Sequence, residues 1–156
     1  LVTKRRRALL VAASALYAAA VWWMTLRPTI VDPQVEGAIR RLVRELQSVP
    51  GMEWVTYDGV EFTANVALFV PLGLLVIAWR GRWWYGILGG LALSAGIETW
   101  QLLMLPARVA DVRDVVANTL GAALGVGAAV VFSRWLTRSQ EAHNPRHRKV
   151  IDSPSQ

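Results

Sequence analysis

Apolar residues dominate four stretches of the 156-residue chain, and short polar or basic segments separate them. The four stretches cover residues 8–26, 62–79, 85–105 and 115–136. Each is close to the length of about 17–25 residues that an α-helix needs to cross a bilayer. The pattern therefore predicts an all-α fold in which residues 1–136 form one domain, a bundle of four transmembrane helices.

A different pattern lies between the first two stretches. Apolar residues recur at helical spacing over residues 35–46, and arginines occupy much of the opposite face. This pattern predicts a short amphipathic helix that lies on the membrane surface or packs over the bundle. Proline-containing segments are expected to end the first span, the amphipathic helix and the third span: Arg27-Pro28, Pro50-Gly51 and Pro106.

Basic residues predict the orientation of the bundle. They cluster at residues 4–7, in the turn at residues 80–82 and after the fourth span. Because basic segments stay in the cytoplasm, we expect a multi-pass membrane protein with both termini cytoplasmic. The apolar run after residues 4–7 is too long for a signal peptide, so we expect an uncleaved helix. Residues 137–156 are polar and predict a disordered cytoplasmic tail.

Composition argues against a nucleic-acid partner, a catalytic triad and a zinc site. The net charge of +6 could indicate nucleic acid, but the basic residues lie beside apolar segments, which favours membrane orientation and no nucleic-acid partner. The chain has no cysteine, and its two histidines lie in the predicted tail. These facts leave a Ser-His-Asp triad on the outer side without support and make zinc unexpected.

Polar side chains interrupt the spans near one depth. Asn65, Glu98, Gln101 and Asn118 all fall within roughly 10 Å of the predicted outer ends of their helices. An acid at the centre of a membrane helix costs on the order of 2.5–3.5 kcal/mol to insert, so Glu98 needs a partner or a function. With the neighbouring polar residues, the candidate ligand-binding cluster comprises Asp58, Asn65, Glu98, Gln101, Arg108, Asp111, Asp114 and Asn118.

Two of the helix starts resemble each other. Asp58 precedes Asn65 at the spacing at which Asp111 precedes Asn118, and a second acid follows the first by three residues in both segments. This similarity predicts two helix hairpins arranged as a parallel repeat. The same residues also suit helix capping, favourable dipole interactions and interhelical hydrogen bonds. The sequence leaves both interpretations open.

Oxygen ligands dominate this cluster, which suits Mg²⁺ or Ca²⁺ as the metal, if there is one. Arg108 could hold a phosphate or carboxylate with two hydrogen bonds. Glu98, partly buried, could carry a proton. Glycines at four-residue spacing on the third and fourth spans predict close helix packing: Gly86, Gly90, Gly121 and Gly125.

The combined motif resembles the VanZ-like membrane proteins over about residues 8–136. The matching residues are Asp58, Asn65, Pro71, Gly73, Glu98, Gln101, Arg108, Asp111, Asp114, Asn118 and Gly121, with Glu61 and Arg113 as weaker matches. The resemblance implies an integral protein of the bacterial cytoplasmic (inner) membrane. The founding member of the family is associated with reduced sensitivity to the glycopeptide teicoplanin. The molecular activity of the family is unsettled, so the resemblance implies no reaction.

Four functions remain open from the sequence. The first is binding or handling of an envelope component, such as a lipid, a lipid-linked precursor or a glycopeptide, and it includes a role in teicoplanin resistance. The second is a proton-coupled lipid transporter or flippase that uses Glu98. The third is a structural or regulatory membrane partner that acts through residues 35–46. The fourth is a cation-dependent enzyme of phospholipid or polyprenyl phosphate. We expect a binding protein rather than an enzyme.

Overall fold

The computed structural model describes residues 3–25, 33–104 and 111–142, and all side chains in these ranges except those of 33–36, 141 and 142. Within these ranges the fold is five α-helices: α1 (Lys4–Thr25), α2 (Pro33–Gln47), α3 (Tyr57–Ala78), α4 (Trp83–Met104) and α5 (Val112–Ala142). All except α2 are long and apolar enough to cross a membrane. The predicted all-α bundle with four candidate spans is confirmed.

The end of α5 differs from the prediction. The helix continues to Ala142, so residues 137–142 are helical and do not belong to a disordered tail. This segment contains no glycine or proline, and the hydroxyls of Thr137 and Ser139 donate to carbonyls one turn earlier, at 3.1 and 3.0 Å. At about 1.5 Å per residue, α5 is longer than the roughly 30 Å hydrocarbon core, so it extends beyond the membrane. Residues 143–156 lie outside the described residues.

Helices α3 and α5 form the centre of the bundle and share its most extensive contact. Gly121 lies against the carbonyl of Val66, and Gly125 lies against the carbonyl of Val70. Both pairs advance by four residues in the same direction, so α3 and α5 run parallel. A methyl group at either glycine would overlap a carbonyl oxygen of α3. Small residues therefore allow backbone-to-backbone packing here, as the sequence predicted.

Helix α4 packs on this pair through glycines of its own. Gly86 faces the side chain of Val126, and Gly90 faces the methyl group of Ala122. On α3, Gly73 lies against the backbone of α5 between Ala122 and Val126. Helices α3, α4 and α5 are therefore closely packed in the half of their interface near the α3–α4 turn. There is no room for an added methyl group at Gly73, Gly86 or Gly90.

Helix α1 is the peripheral member of the bundle, and Val21 is its single buried residue among those described. Near one end of α1, Arg6 donates from Nη2 to the carbonyl of Ala78 at 3.0 Å. Trp79 donates from Nε1 to Ser14 Oγ at 3.1 Å. At the other end, Gln101 of α4 donates from Nε2 to the carbonyl of Thr25 at 2.6 Å. These contacts make α1 antiparallel to α3 and parallel to α4.

The amphipathic helix α2 packs one face on the start of α3. Val43 is buried, and the guanidinium of Arg40 lies 4.3 Å from the ring centroid of Tyr57. The following turn contains Gly51 at φ 88°, a conformation that glycine adopts without strain. In this turn, hydrogen bonds from the backbone N–H groups of Glu53 and Gly51 lower the pKa of the Glu53 carboxyl.

Candidate functional site

Two chemically different ends result from this topology. The polar end is formed by the C-termini of α1 and α4 and the N-termini of α3 and α5, and its residues are Asp58, Asn65, Glu98, Gln101, Asp111, Asp114 and Asn118. The basic end lies opposite and carries Lys4, Arg5, Arg6, Arg7, Arg80, Arg82, Arg134 and Arg138. The sequence predicted this separation. Arg108, the remaining candidate, lies outside the described residues.

Glu98 is the buried acid of the polar end, with 9% of its surface exposed. Its Oε2 accepts a hydrogen bond from the backbone N–H of Asp111 at 3.0 Å. Asp111 directly precedes α5, and its own Oδ1 accepts from the N–H of Arg113 at 2.8 Å. Two carboxylates thus satisfy N–H groups at the start of α5, where the helix dipole favours negative charge. The depth of Glu98 in its span predicted that it caps no helix. That prediction was wrong, because Glu98 accepts from the N–H of the residue that precedes α5.

Asn65 links the two central helices. It donates from Nδ2 to Asp114 Oδ1 at 2.7 Å, across the α3–α5 contact. Asp114 lies in the first turn of α5. The predicted interhelical role of Asn65 therefore has a specific partner, an acid that also lies at the positive end of the α5 dipole.

Asn118 lies deeper and bonds in another direction. It donates from Nδ2 to Ser94 Oγ of α4 at 2.8 Å, and the two residues are 5% and 0% exposed. Its Oδ1 is buried and has no hydrogen-bond partner among the described residues. A buried acceptor without a donor costs about 1–3 kcal/mol, so this atom is a place where a donor would be stabilising.

The related positions of the two helix starts have different roles. Thr56 caps α3 by accepting from the N–H of Gly59 at 3.1 Å, so Asp58 lies in the first turn and is not the cap. Asp111, by contrast, directly precedes α5. Asn65 bonds to α5, whereas Asn118 bonds to α4. The parallel repeat stays a prediction, and these hydrogen bonds do not follow it.

The rim of the polar end is solvated and carries an exposed ion pair. Arg113 Nη1 lies 3.4 Å from Asp58 Oδ2, with side-chain exposures of 57% and 67%. An exposed pair of this kind contributes at most about 1 kcal/mol. Arg113 also lines a cavity of about 560 Å³ between the α2–α3 turn and the start of α3, together with Trp54, Thr56, Phe62 and Thr63. Arg113 was a minor motif residue in the sequence, but in the structure it lies next to open space.

The structural residues of the motif occupy the helix interfaces. Pro71 lies inside α3, and Gly73 and Gly121 lie where α3 meets α5. The sequence did not predict two hydrogen-bonding groups of the polar end. One is the hydroxyl of Thr56, which caps α3, and the other is the Thr25 carbonyl, which accepts from Gln101. A capping preference for threonine could have indicated the first. A backbone carbonyl leaves no residue-type signal that could have indicated the second.

Chemically, the polar end is a network that joins helices. Within residues 3–25, 33–104 and 111–142, no three acidic or histidine side chains come together as a candidate metal site. Asp111 accepts from a backbone N–H, Asp114 accepts from an amide, and Asp58 pairs with an arginine. The contacts of these three acids therefore go to different groups.

Fold and network together define a multi-pass α-helical membrane protein with its polar residues gathered at one end of the bundle. The VanZ/LLP1 family model matches residues 14–133. This match covers most of the chain, and the chain belongs to that family. No curated protein and no solved structure matches it.

Proposed function

We propose that the protein binds an amphiphilic component of the bacterial cell envelope at its polar end. The observation that carries this proposal is the cavity of about 560 Å³ at the rim. Its wall combines the cationic Arg113 and the hydroxyls of Thr56 and Thr63 with the apolar rings of Trp54 and Phe62. A ligand with an anionic group and an apolar part fits both kinds of wall.

The chemistry of this wall narrows the ligand class. The guanidinium of Arg113 suits a phosphate or carboxylate, and Trp54 is 77% exposed and available for an apolar contact. A lipid-linked precursor, an anionic lipid and a glycopeptide of the teicoplanin type all meet these requirements. The orientation expected from the basic end would place the cavity on the outer side, where such ligands occur. Under this proposal the protein contributes to glycopeptide resistance by binding or presenting one of these ligands.

The packing of the bundle disfavours a transporter in which Glu98 passes protons inward. Such a route would continue past Ser94 toward the basic end between α3, α4 and α5. That region contains Gly73, Gly86 and Gly90, where even a methyl group would overlap the neighbouring helix. A binding role needs no passage through this interface.

A structural role for the network is the second candidate, and the hydrogen bonds favour it. Each of three residues bonds outside its own helix: Glu98 and Asn65 bond to the start of α5, and Gln101 bonds to the end of α1. These bonds could serve only to hold the bundle together. The two candidates differ at Arg113. Its removal should affect ligand binding and cost only the exposed pair with Asp58, while the partly buried hydrogen bonds of Glu98, Asn65 and Gln101 stay intact.

The Arg113→Gln variant tests the proposal. We expect its affinity for fluorescent teicoplanin or for a polyprenyl pyrophosphate to fall about tenfold or more, since a hydrogen bond to a charged group contributes about 1.5–3 kcal/mol. Cells that express it should lose protection against teicoplanin at unchanged protein level. Glu45→Gln, an exposed charge change on α2, is the matched control and should behave as wild type. Wild-type affinity and protection in Arg113→Gln would exclude the proposal.

Glu98→Gln separates charge from capping in the same assays. The glutamine keeps an oxygen that accepts from the Asp111 N–H, so the variant should fold. Glu98→Ala removes the acceptor and should reduce the amount of folded protein. Loss of protection in the folded Glu98→Gln variant would show that the charge itself is required. Full protection would assign Glu98 to helix capping.

A further inference from the structure

An apolar groove runs along the outside of the bundle between α1, α3 and α4. Its volume is about 510 Å³, and its walls include Leu72, Leu75 and Val76 of α3 and Leu93 and Ile97 of α4. The volume lies within the roughly 300–1,000 Å³ of typical ligand sites. Helix α1 forms one side of the groove. Most of its described residues are exposed, so no other described helix covers it. The groove therefore faces the hydrocarbon region of the membrane.

The two ends of the groove differ in charge. One end is lined by Trp79 and Gly81, which flank Arg80 in the α3–α4 turn. Arg80 and Arg82 are exposed there, and Arg6 reaches the same place through its hydrogen bond to the Ala78 carbonyl. The other end is lined by the uncharged residues Trp22 and Thr25. An occupant that complements these ends is apolar along its length and anionic at the basic end.

One polar atom in the wall is left without a partner. The hydroxyl of Tyr17 is buried and makes no hydrogen bond within the described residues. Tyr17 lines the groove together with Ser14, whose hydroxyl already accepts from Trp79. Since a buried hydroxyl is normally hydrogen-bonded, an occupant that carries an acceptor, such as a carboxylic ester, would satisfy it.

We propose that this groove holds one acyl chain of an anionic phospholipid, with the phosphate between Arg6, Arg80 and Arg82. The apolar walls take the chain, the arginines take the charge, and the Tyr17 hydroxyl donates to an ester oxygen. The site lies at the opposite end from the rim cavity and does not depend on the function proposed there. The groove therefore binds a phospholipid from the membrane leaflet next to the basic end.

Native mass spectrometry of the full chain in detergent tests this site. Phosphatidylglycerol and phosphatidylcholine with identical chains are added at equal concentration, and the lipid-bound fraction is measured. Arg80→Gln/Arg82→Gln should lower the preference for phosphatidylglycerol by about tenfold or more, because two of the three guanidinium groups placed around the anionic headgroup are removed. Arg134→Gln/Arg138→Gln removes the same charge from α5 at the same end and should leave the preference unchanged.

A second pair of variants tests the groove itself. Ala18 lines the groove and its neighbour Ala19 does not, although both are exposed. Ala18→Phe should fill the groove and reduce bound phosphatidylglycerol severalfold, and Ala19→Phe should retain it. Equal binding of the two lipids by wild type, or equal effects of the two arginine pairs, would overturn the proposal. If Ala18→Phe does not fold, the arginine pairs and the wild-type preference still decide it.

Discussion

Gly121 and Gly127 lie on the same helix, but they differ in what a side chain would meet. A methyl group at Gly121 would overlap the carbonyl of Val66, whereas nothing lies within 4 Å of one at Gly127. The sequence could predict that glycines at four-residue spacing allow close packing. It could not show that Val66 and Val70 of α3 supply the opposing carbonyls, because which faces meet depends on how the whole bundle assembles.

The first residue-scale prediction concerns these two glycines. Gly121→Ala should destabilise the protein by about 1–3 kcal/mol, since the added methyl group forces α3 and α5 apart. Gly127→Ala should be neutral or slightly stabilising, because the methyl group enters open space and alanine favours the helix. Thermal unfolding of the two variants in the same detergent measures the difference. Equal unfolding temperatures would show that α3 and α5 do not approach through Gly121.

For Glu98, the sequence predicted the need for a partner but not the identity of that partner. The cost of burying an acid predicted that this residue needs a partner, and the structure supplies one. The partner is the backbone N–H of Asp111, across a segment whose path the sequence does not specify. Any residue other than proline supplies a backbone N–H, so no residue pattern could have indicated this donor.

At the scale of elements, the hydropathy pattern predicted the number, order and approximate bounds of the spans. The boundaries were less accurate, most clearly at α5, which continues to Ala142. Hydropathy identifies where a helix enters the membrane. It does not identify where the helix ends, which depends on helix-breaking residues and local hydrogen bonds.

The hydrogen bond between Asn65 and Asp114 should stabilise the α3–α5 contact. A double-mutant cycle with Asn65→Ala and Asp114→Ala is expected to give a coupling energy of about 0.6 kcal/mol, with about 1.7 kcal/mol as an upper value for membrane proteins. Thr63→Ala with Asp114→Ala is the control cycle, because Thr63 bonds to Gly59 of its own helix. Unfolding free energies in detergent provide both cycles. A coupling as small as that of the control would contradict the interhelical bond.

At the scale of the whole molecule, the chain separates its chemistry into a basic end and a polar end. The sequence predicted this separation from the alternation of apolar spans and the positions of arginines. It also predicted that Asn65, Glu98 and Asn118 gather near one depth, and the structure places all three at the polar end. The sequence did not predict the cavity beside Arg113 or the groove beside α1, because both depend on how loosely α1 and α2 pack on the central helices.

The central claim is that the polar end faces away from the cytoplasm, where envelope components occur. The chain contains no cysteine, so single substitutions can report on each end directly. Met52→Cys lies in the α2–α3 turn at the polar end, and Ser139→Cys lies on α5 beyond the basic end. In intact spheroplasts, a membrane-impermeant maleimide should label Met52→Cys at once and Ser139→Cys only after lysis. The reverse labelling pattern would place the polar end in the cytoplasm and contradict the proposed function.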